Sequence, residues 1–75
     1  MIIHKVRTSK GSVVEIFTNE EKAVELLSWI YNKALAEGRT ATKLINNRFT
    51  VNTREPVAHT FYDDTLDYYI ETETV

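Results

Sequence analysis

Two segments of mixed hydrophobic and polar residues, from Ile2 to Thr8 and from Ser12 to Phe17, predict the strands of a β-hairpin. The tripeptide Ser9-Lys10-Gly11 separates them. It suits a three-residue loop, because glycine adopts the positive φ that the last loop position needs. The loop predicts a register with three facing pairs: Thr8 with Ser12, Lys5 with Glu15, and Ile3 with Phe17. A two-residue loop would place Lys5 opposite Ile16, which is a poorer cross-strand match.

A period of 3.6 residues begins after Phe17 and predicts one helix. Thr18-Asn19-Glu20-Glu21 is typical of a capping box, in which the Thr18 hydroxyl and the Glu21 carboxylate each accept from a free backbone N–H. Gly38 is typical of the position that ends a helix. The predicted buried stripe comprises Ala23, Val24, Leu27, Ile30, Tyr31 and Ala34, with Leu26 and Leu35 at its edges.

Trp29 falls on the wrong side of this helix for a core residue. At about 100° per residue it lies about 200° from Leu27, the centre of the buried stripe. It shares that side with Lys22, Glu25, Asn32 and Lys33. Either the C-terminal segment folds back over the indole, or the indole anchors a partner or a second copy. We favour the second interpretation, because the sheet should occupy the opposite side of the helix and tryptophan is enriched at binding hot spots.

The pattern in the second half of the chain predicts mainly strands. Residues 42–51 predict a hairpin that turns at Asn46-Asn47, with Leu44 beside Phe49 and Thr42 beside Val51 on the inner face. A short helix through residues 41–46 is the alternative. Pro56 begins a new segment, in which residues 57–62 are a candidate strand and residues 63–65 a turn. Residues 66–74 alternate like a half-buried strand, although a helix would align Tyr62, Leu66, Tyr69 and Ile70.

Together these elements predict an α+β fold in one domain over residues 1–75. A single helix packs on a mostly antiparallel sheet of four or five strands, in the order ββα-ββ(β). A hydrophobic fraction of 43% supports a folded chain. The sequence lacks cysteine and shows neither a signal peptide nor a membrane span. We therefore expect a cytoplasmic protein, in the cell that produces it or in a host.

Charge is distributed unevenly along the chain. Residues 1–54 contain all nine Lys and Arg and five of the eleven acids, for a net charge of +4. Residues 55–75 contain the other six acids and no base, for a net charge of −6. Such asymmetry indicates either an acidic segment that meets a basic partner or two halves that neutralise each other on folding. Mutual neutralisation is the favoured interpretation.

Catalytic and metal-binding motifs are weak in this sequence. His4 and His59 are the candidate general bases, but neither sits in a motif, and His4 falls on the inner face of the first hairpin. His59 with Asp63 and Asp64 is a conceivable metal site, yet one hairpin does not easily bring the three side chains together. Two well-separated glycines exclude a P-loop and a dinucleotide fingerprint. We expect a protein that is not an enzyme, with no cofactor and no metal.

Two kinds of binding function remain. A nucleic-acid-binding or regulatory module would use basic residues around the two hairpins, namely Lys5, Arg7, Lys10, Lys43, Arg48 and Arg54. A net charge of −2 counts against it, because backbone binding grows with the phosphate charge neutralised. Protein binding is favoured, with self-association into a homodimer as one form of it. The candidate partner-binding residues are Trp29, Lys33, Tyr62, Asp63, Asp64, Asp67, Tyr69 and Glu71.

The segment from Val13 to Ala23, a strand that ends in an aromatic residue and enters a capped helix, resembles the strand–helix junction of many short bacteriophage proteins. The resemblance covers about the first half of the chain. It implies an accessory protein directed at a host, in counter-defence or host takeover, which binds and blocks one host protein. It assigns no functional residue.

Overall fold

A computed structural model describes residues 1–52 and 65–75, and these form one helix and four strands. The strands are β1 (Ile2–Thr8), β2 (Val13–Phe17), β3 (Arg48–Asn52) and β4 (Thr65–Thr74), and the helix is α1 (Glu20–Ala36). All pairs are antiparallel, in the order β2-β1-β4-β3. The predicted α+β class, with one helix on an antiparallel sheet, is confirmed. The candidate strand at residues 57–62 lies outside the described residues.

The loop between β1 and β2 forms as predicted, but the register beyond it differs. Gly11 has a φ of +87°, and the Thr8 amide donates to the Ser12 carbonyl at 3.0 Å. Val14 is then an extra residue on β2, so that Arg7 pairs with Val13 but Val6 pairs with Glu15. The predicted facing of Lys5 with Glu15 is therefore wrong, and Lys5 faces Ile16. This bulge places Phe17, opposite buried His4, on the inner face, where it packs against the core.

The N-terminal cap of α1 differs from the prediction, whereas the C-terminal cap agrees with it. Asn19, not Thr18, is the N-cap, because its side-chain oxygen accepts from the Glu21 amide at 2.8 Å and from the Lys22 amide at 3.4 Å. The short amide side chain satisfies both free donors, and the predicted capping box is wrong. At the other end Gly38 has a φ of +78° and donates to the Leu35 carbonyl. Together with the bond from the Arg39 amide to the Ala34 carbonyl, this is a Schellman motif.

The core lies between α1 and the inner face of the sheet. The fully buried residues are Val6, Ala23, Leu27 and Phe49, and Val51 and Ala34 are nearly so. The Phe49 ring lies between two tyrosines, edge-on to Tyr31 and stacked on Tyr68, each with centroids 5.3 Å apart. The predicted stripe of the helix thus faces the sheet, although its edge residue Leu35 remains 46% exposed.

The chain reverses at Asn46-Asn47 before β3. Both residues have positive φ, +54° and +57°, and Ile45 and Arg48 exchange two backbone hydrogen bonds across the turn. The turn is confirmed, and the alternative helix at residues 41–46 does not form. Ala41, rather than Thr42, lies opposite Val51, so the predicted register is wrong beyond Ile45. The Thr42 hydroxyl accepts from the Thr50 amide at 2.8 Å and replaces a regular ladder contact.

Strand β4 is a central strand, flanked by β1 and β3. Its alternation is confirmed: Leu66, Tyr68 and Ile70 pack against the core, and the acidic residues point to the other face. The competing helix at this position does not form. Because β4 is inserted beside β1, Met1 and Val75 lie together and exchange backbone hydrogen bonds at 2.7 and 2.8 Å.

Candidate partner-binding surface

Trp29 lies on the exposed side of α1, as its position in the helical period predicts. Its exposed fraction is 57%, whereas Leu27, on the opposite side of the helix, is fully buried. The Lys33 ammonium lies over the indole ring, 4.9 Å from the ring centroid. These two residues are one turn apart, so the helix itself holds the cation above the ring. Two of the predicted partner-binding residues are therefore in contact.

An open groove of about 380 Å³ lies beside the indole. Its apolar walls are formed by Val14 of β2, Trp29 and Ile30 of α1, and Val51 and Tyr68 of the sheet. Charged side chains of Lys33, Glu37 and Arg39 also line it, and Arg39 Nε donates to Glu37 at 2.9 Å. An apolar groove with a charged rim has the composition that receives an apolar side chain of a partner. We call Trp29, Lys33 and this groove the Trp29 surface.

Val14 is one of the groove residues that the predicted partner-binding set did not include. It is the bulged residue of β2, 44% exposed, and it lines the groove on the side of the helix that carries Trp29. A bulge changes the direction of a side chain without leaving a pattern in the local sequence. The hydrophobic alternation therefore contained no signal for this placement.

The remaining predicted partner-binding residues do not join the Trp29 surface. Asp67, Tyr69 and Glu71 alternate with the core-facing residues of β4, so they lie on the sheet face away from α1. Each is engaged within the chain: Asp67 accepts from the Thr50 hydroxyl at 2.6 Å, and Arg48 lies 5.3 Å from the Tyr69 ring centroid. Glu71 forms an ion pair with Arg7 at 3.3 Å. Tyr62, Asp63 and Asp64 lie outside the described residues.

This outer face of the sheet brings basic and acidic residues of the two chain halves together. Lys5 pairs with Glu73, Arg7 with Glu71, and Arg48 with Asp67 at 3.7 Å. The Lys5 ammonium donates to Glu73 and attracts its charge, which holds the pKa of Glu73 below its ordinary value. These contacts agree with the favoured interpretation that the basic and acidic halves neutralise each other.

Three residues of the nucleic-acid alternative, Lys5, Arg7 and Arg48, are thus held in ion pairs. Lys10 in the first loop and Lys43 before the second turn are exposed. Arg54 lies outside the described residues. The cations predicted as a nucleic-acid face are therefore divided between neutralised strand positions and two separate loops.

Of the two candidate general bases, His4 lies among the described residues. His4 is 9% exposed on the inner face, and its Nδ1 lies 3.1 Å from the Thr72 hydroxyl, which agrees with a histidine satisfied by its neighbours. Within residues 1–52 and 65–75, no three His, Asp or Glu side chains are grouped as metal ligands. His59 lies outside that range. The described part of the chain has no helix long and apolar enough to cross a membrane.

Comparison of the chain with protein-family models, with curated proteins and with solved structures found no match. The class that the structure defines is a small α+β domain with one exposed aromatic on its helix.

Proposed function

We propose that this chain is a small, non-enzymatic accessory protein that binds another protein through the Trp29 surface and blocks its activity. The observation that carries the proposal is the position of the indole, which is 57% exposed and forms part of an apolar groove wall. Tryptophan is the residue type most enriched at binding hot spots. Its ring offers a large apolar area that loses little conformational entropy on binding.

The surroundings of the indole support this proposal. Val14, which is 44% exposed, extends the apolar area from the helix to the edge strand β2. Lys33 adds a cation that rests on the ring. A central aromatic anchor with apolar neighbours and charged residues at the rim is the usual composition of a protein interface.

Protein is favoured over nucleic acid because of the outer-face ion pairs. Lys5, Arg7 and Arg48 each face an acid of β4, so phosphate would have to compete with carboxylate for them. Binding to a polyanion releases counterions and weakens steeply with salt. We expect no salt-dependent retention of this protein on heparin or on single-stranded DNA. Retention that salt abolishes would favour the nucleic-acid alternative instead.

The direct test is an affinity capture from the cytoplasm of the cell in which the protein is made or acts. Wild type, Trp29→Ala and Leu35→Ala are immobilised at equal density. Leu35 is a matched control, because it is an exposed apolar residue of the same helix, 46% exposed, that does not line the groove. We expect one protein to be retained by wild type and by Leu35→Ala but not by Trp29→Ala. Identical retention by all three baits would refute the assignment of the Trp29 surface.

A further inference from the structure

Trp29 lies midway between two opposite charges on the exposed side of α1. Glu25 precedes it by four residues and Lys33 follows it by four, and all three side chains are exposed. Residues four apart in a helix lie one above the other on the same face. The stripe Glu25-Trp29-Lys33 is therefore negative at one end, aromatic in the middle and positive at the other end.

Such a stripe is complementary to itself when it is reversed. In an isologous contact, a two-fold axis brings each residue against the residue at the same distance on the other side of the centre. If the axis passes beside Trp29, the two helices run antiparallel and the indoles meet. Glu25 of one copy then faces Lys33 of the second copy, and the same pair forms again by symmetry. A parallel arrangement would instead place like charges together.

We propose that the partner of this helix face is a second copy of the chain, bound through antiparallel pairing of α1 about Trp29. The inference rests on the proposed function in one respect, since both assign the indole to a protein contact. It adds a second occupant of this face, another copy of the chain that charge complementarity selects, and the two occupants exclude each other because both cover Trp29.

Contacts within one chain leave these charges available. Among the described residues, neither Glu25 nor Lys33 forms an ion pair, and Lys33 lies over the indole ring. The neighbours of the stripe also permit close approach. Ala36, which lies one further turn along the same side, is small. The contact involves one helix from each copy, so it is smaller than the roughly 800 Å² per partner of a standard interface. We therefore expect a dimer that dissociates on dilution.

Sedimentation equilibrium of the full chain, from about 5 µM to about 1 mM, tests this association. We expect wild type to convert from monomer to dimer within that range. Glu25→Lys alone and Lys33→Glu alone should each weaken association roughly tenfold, because two attractive contacts become two repulsive ones. The double variant E25K/K33E restores both pairs in reversed order and should return affinity to within about threefold of wild type.

The controls separate charge pairing from a general effect of net charge. Lys10→Glu changes net charge as Lys33→Glu does, but it lies in the first loop and should leave the dimer unchanged. Trp29→Ala should weaken association roughly 30-fold or more, as expected of a central hot spot. In wild type the Trp29 emission should shift to shorter wavelength as concentration rises. Far-UV circular dichroism at low concentration checks that each variant is folded.

Three results would overturn the proposal: a wild-type monomer at about 1 mM, a dimer indifferent to either single charge reversal, or a double variant that remains as weak as the single ones. These outcomes are distinct from those of the capture experiment. A monomer that nevertheless loses a captured protein on Trp29→Ala would refute the dimer and leave the proposed function standing. A dimer whose Trp29→Ala variant captures the same proteins as wild type would do the reverse.

Discussion

Replacement of Trp29 by alanine should leave a folded monomer, and this outcome separates a binding residue from a core residue. Since 57% of the residue is exposed, a little under half of its surface is buried within the chain. A fully buried aromatic removes about 150–250 Å² from water, so the buried part here is about 60–100 Å². At about 25 cal/mol per Å² that area contributes roughly 1.5–2.5 kcal/mol. Alanine returns about 0.5 kcal/mol through its higher helix propensity. The expected net loss is about 1–2 kcal/mol.

Phe49→Ala provides the comparison for a core aromatic. Phe49 is 1% exposed and lies between the rings of Tyr31 and Tyr68. Truncation of a buried aromatic costs about 3–5 kcal/mol, which is comparable with the whole stability of many small domains. We therefore expect Phe49→Ala to be largely unfolded under conditions in which Trp29→Ala is folded.

The assay is urea unfolding followed by far-UV circular dichroism, since Trp29 is the only tryptophan and fluorescence is lost with it. The protein is kept at about 2 µM, below the range in which self-association would contribute. A loss above about 3 kcal/mol for Trp29→Ala would show that the indole belongs to the core of the monomer. That result would refute the reasoning that assigns Trp29 to a binding surface.

Three further predictions concern the helix caps and the outer face of the sheet. Asn19→Ala should lower the free energy of unfolding by about 1 kcal/mol, whereas Thr18→Ala should change it by less than about 0.5 kcal/mol, in urea or thermal melts. Gly38→Ala should cost about 1 kcal/mol in the same melts, because its φ of +78° is unfavourable for a residue with a Cβ, although no atom would obstruct that Cβ. The pKa of Glu73 should lie below its ordinary value in a carboxyl NMR titration, and Lys5→Met should move the pKa back toward that ordinary value.

The sign of the Glu73 effect follows from the direction of its pKa shift. The folded state holds the carboxylate ionised at pH values where the unfolded state begins to protonate it. The pair therefore contributes its full stabilisation at pH values above the pKa of Glu73 in the unfolded chain, and loses it as the pH falls through the lower pKa of the folded state. Equal titration of Glu73 in wild type and in Lys5→Met would contradict the pairing.

If Thr18→Ala proved as destabilising as Asn19→Ala, the assignment of Asn19 as the N-cap would be wrong.

Local chemistry determined a large part of this fold. The positive φ of Gly11, Gly38 and the Asn46-Asn47 pair follows from residue types that tolerate that conformation, and each lies where a turn or helix end was predicted. The helical period alone placed Leu27 in the core and Trp29 outside it, because side-chain direction in a helix depends only on the spacing between residues. The alternation of β4 was equally readable from the sequence.

The pairing and register of the strands depend on the packing of segments that are distant in the sequence. The sequence did not specify that β4 pairs with β1, and this pairing brings Lys5 to Glu73, where the two form an ion pair. The bulge at Val14 likewise depends on the packing of Phe17 against the core. No pattern in the sequence of β2 itself predicts it. Strand register depends on contacts between distant segments, so a one-residue shift is invisible in a local pattern. Helical periodicity was sufficient to place Trp29 outside the core, whereas its position beside Val14 in a groove depends on how distant segments pack together.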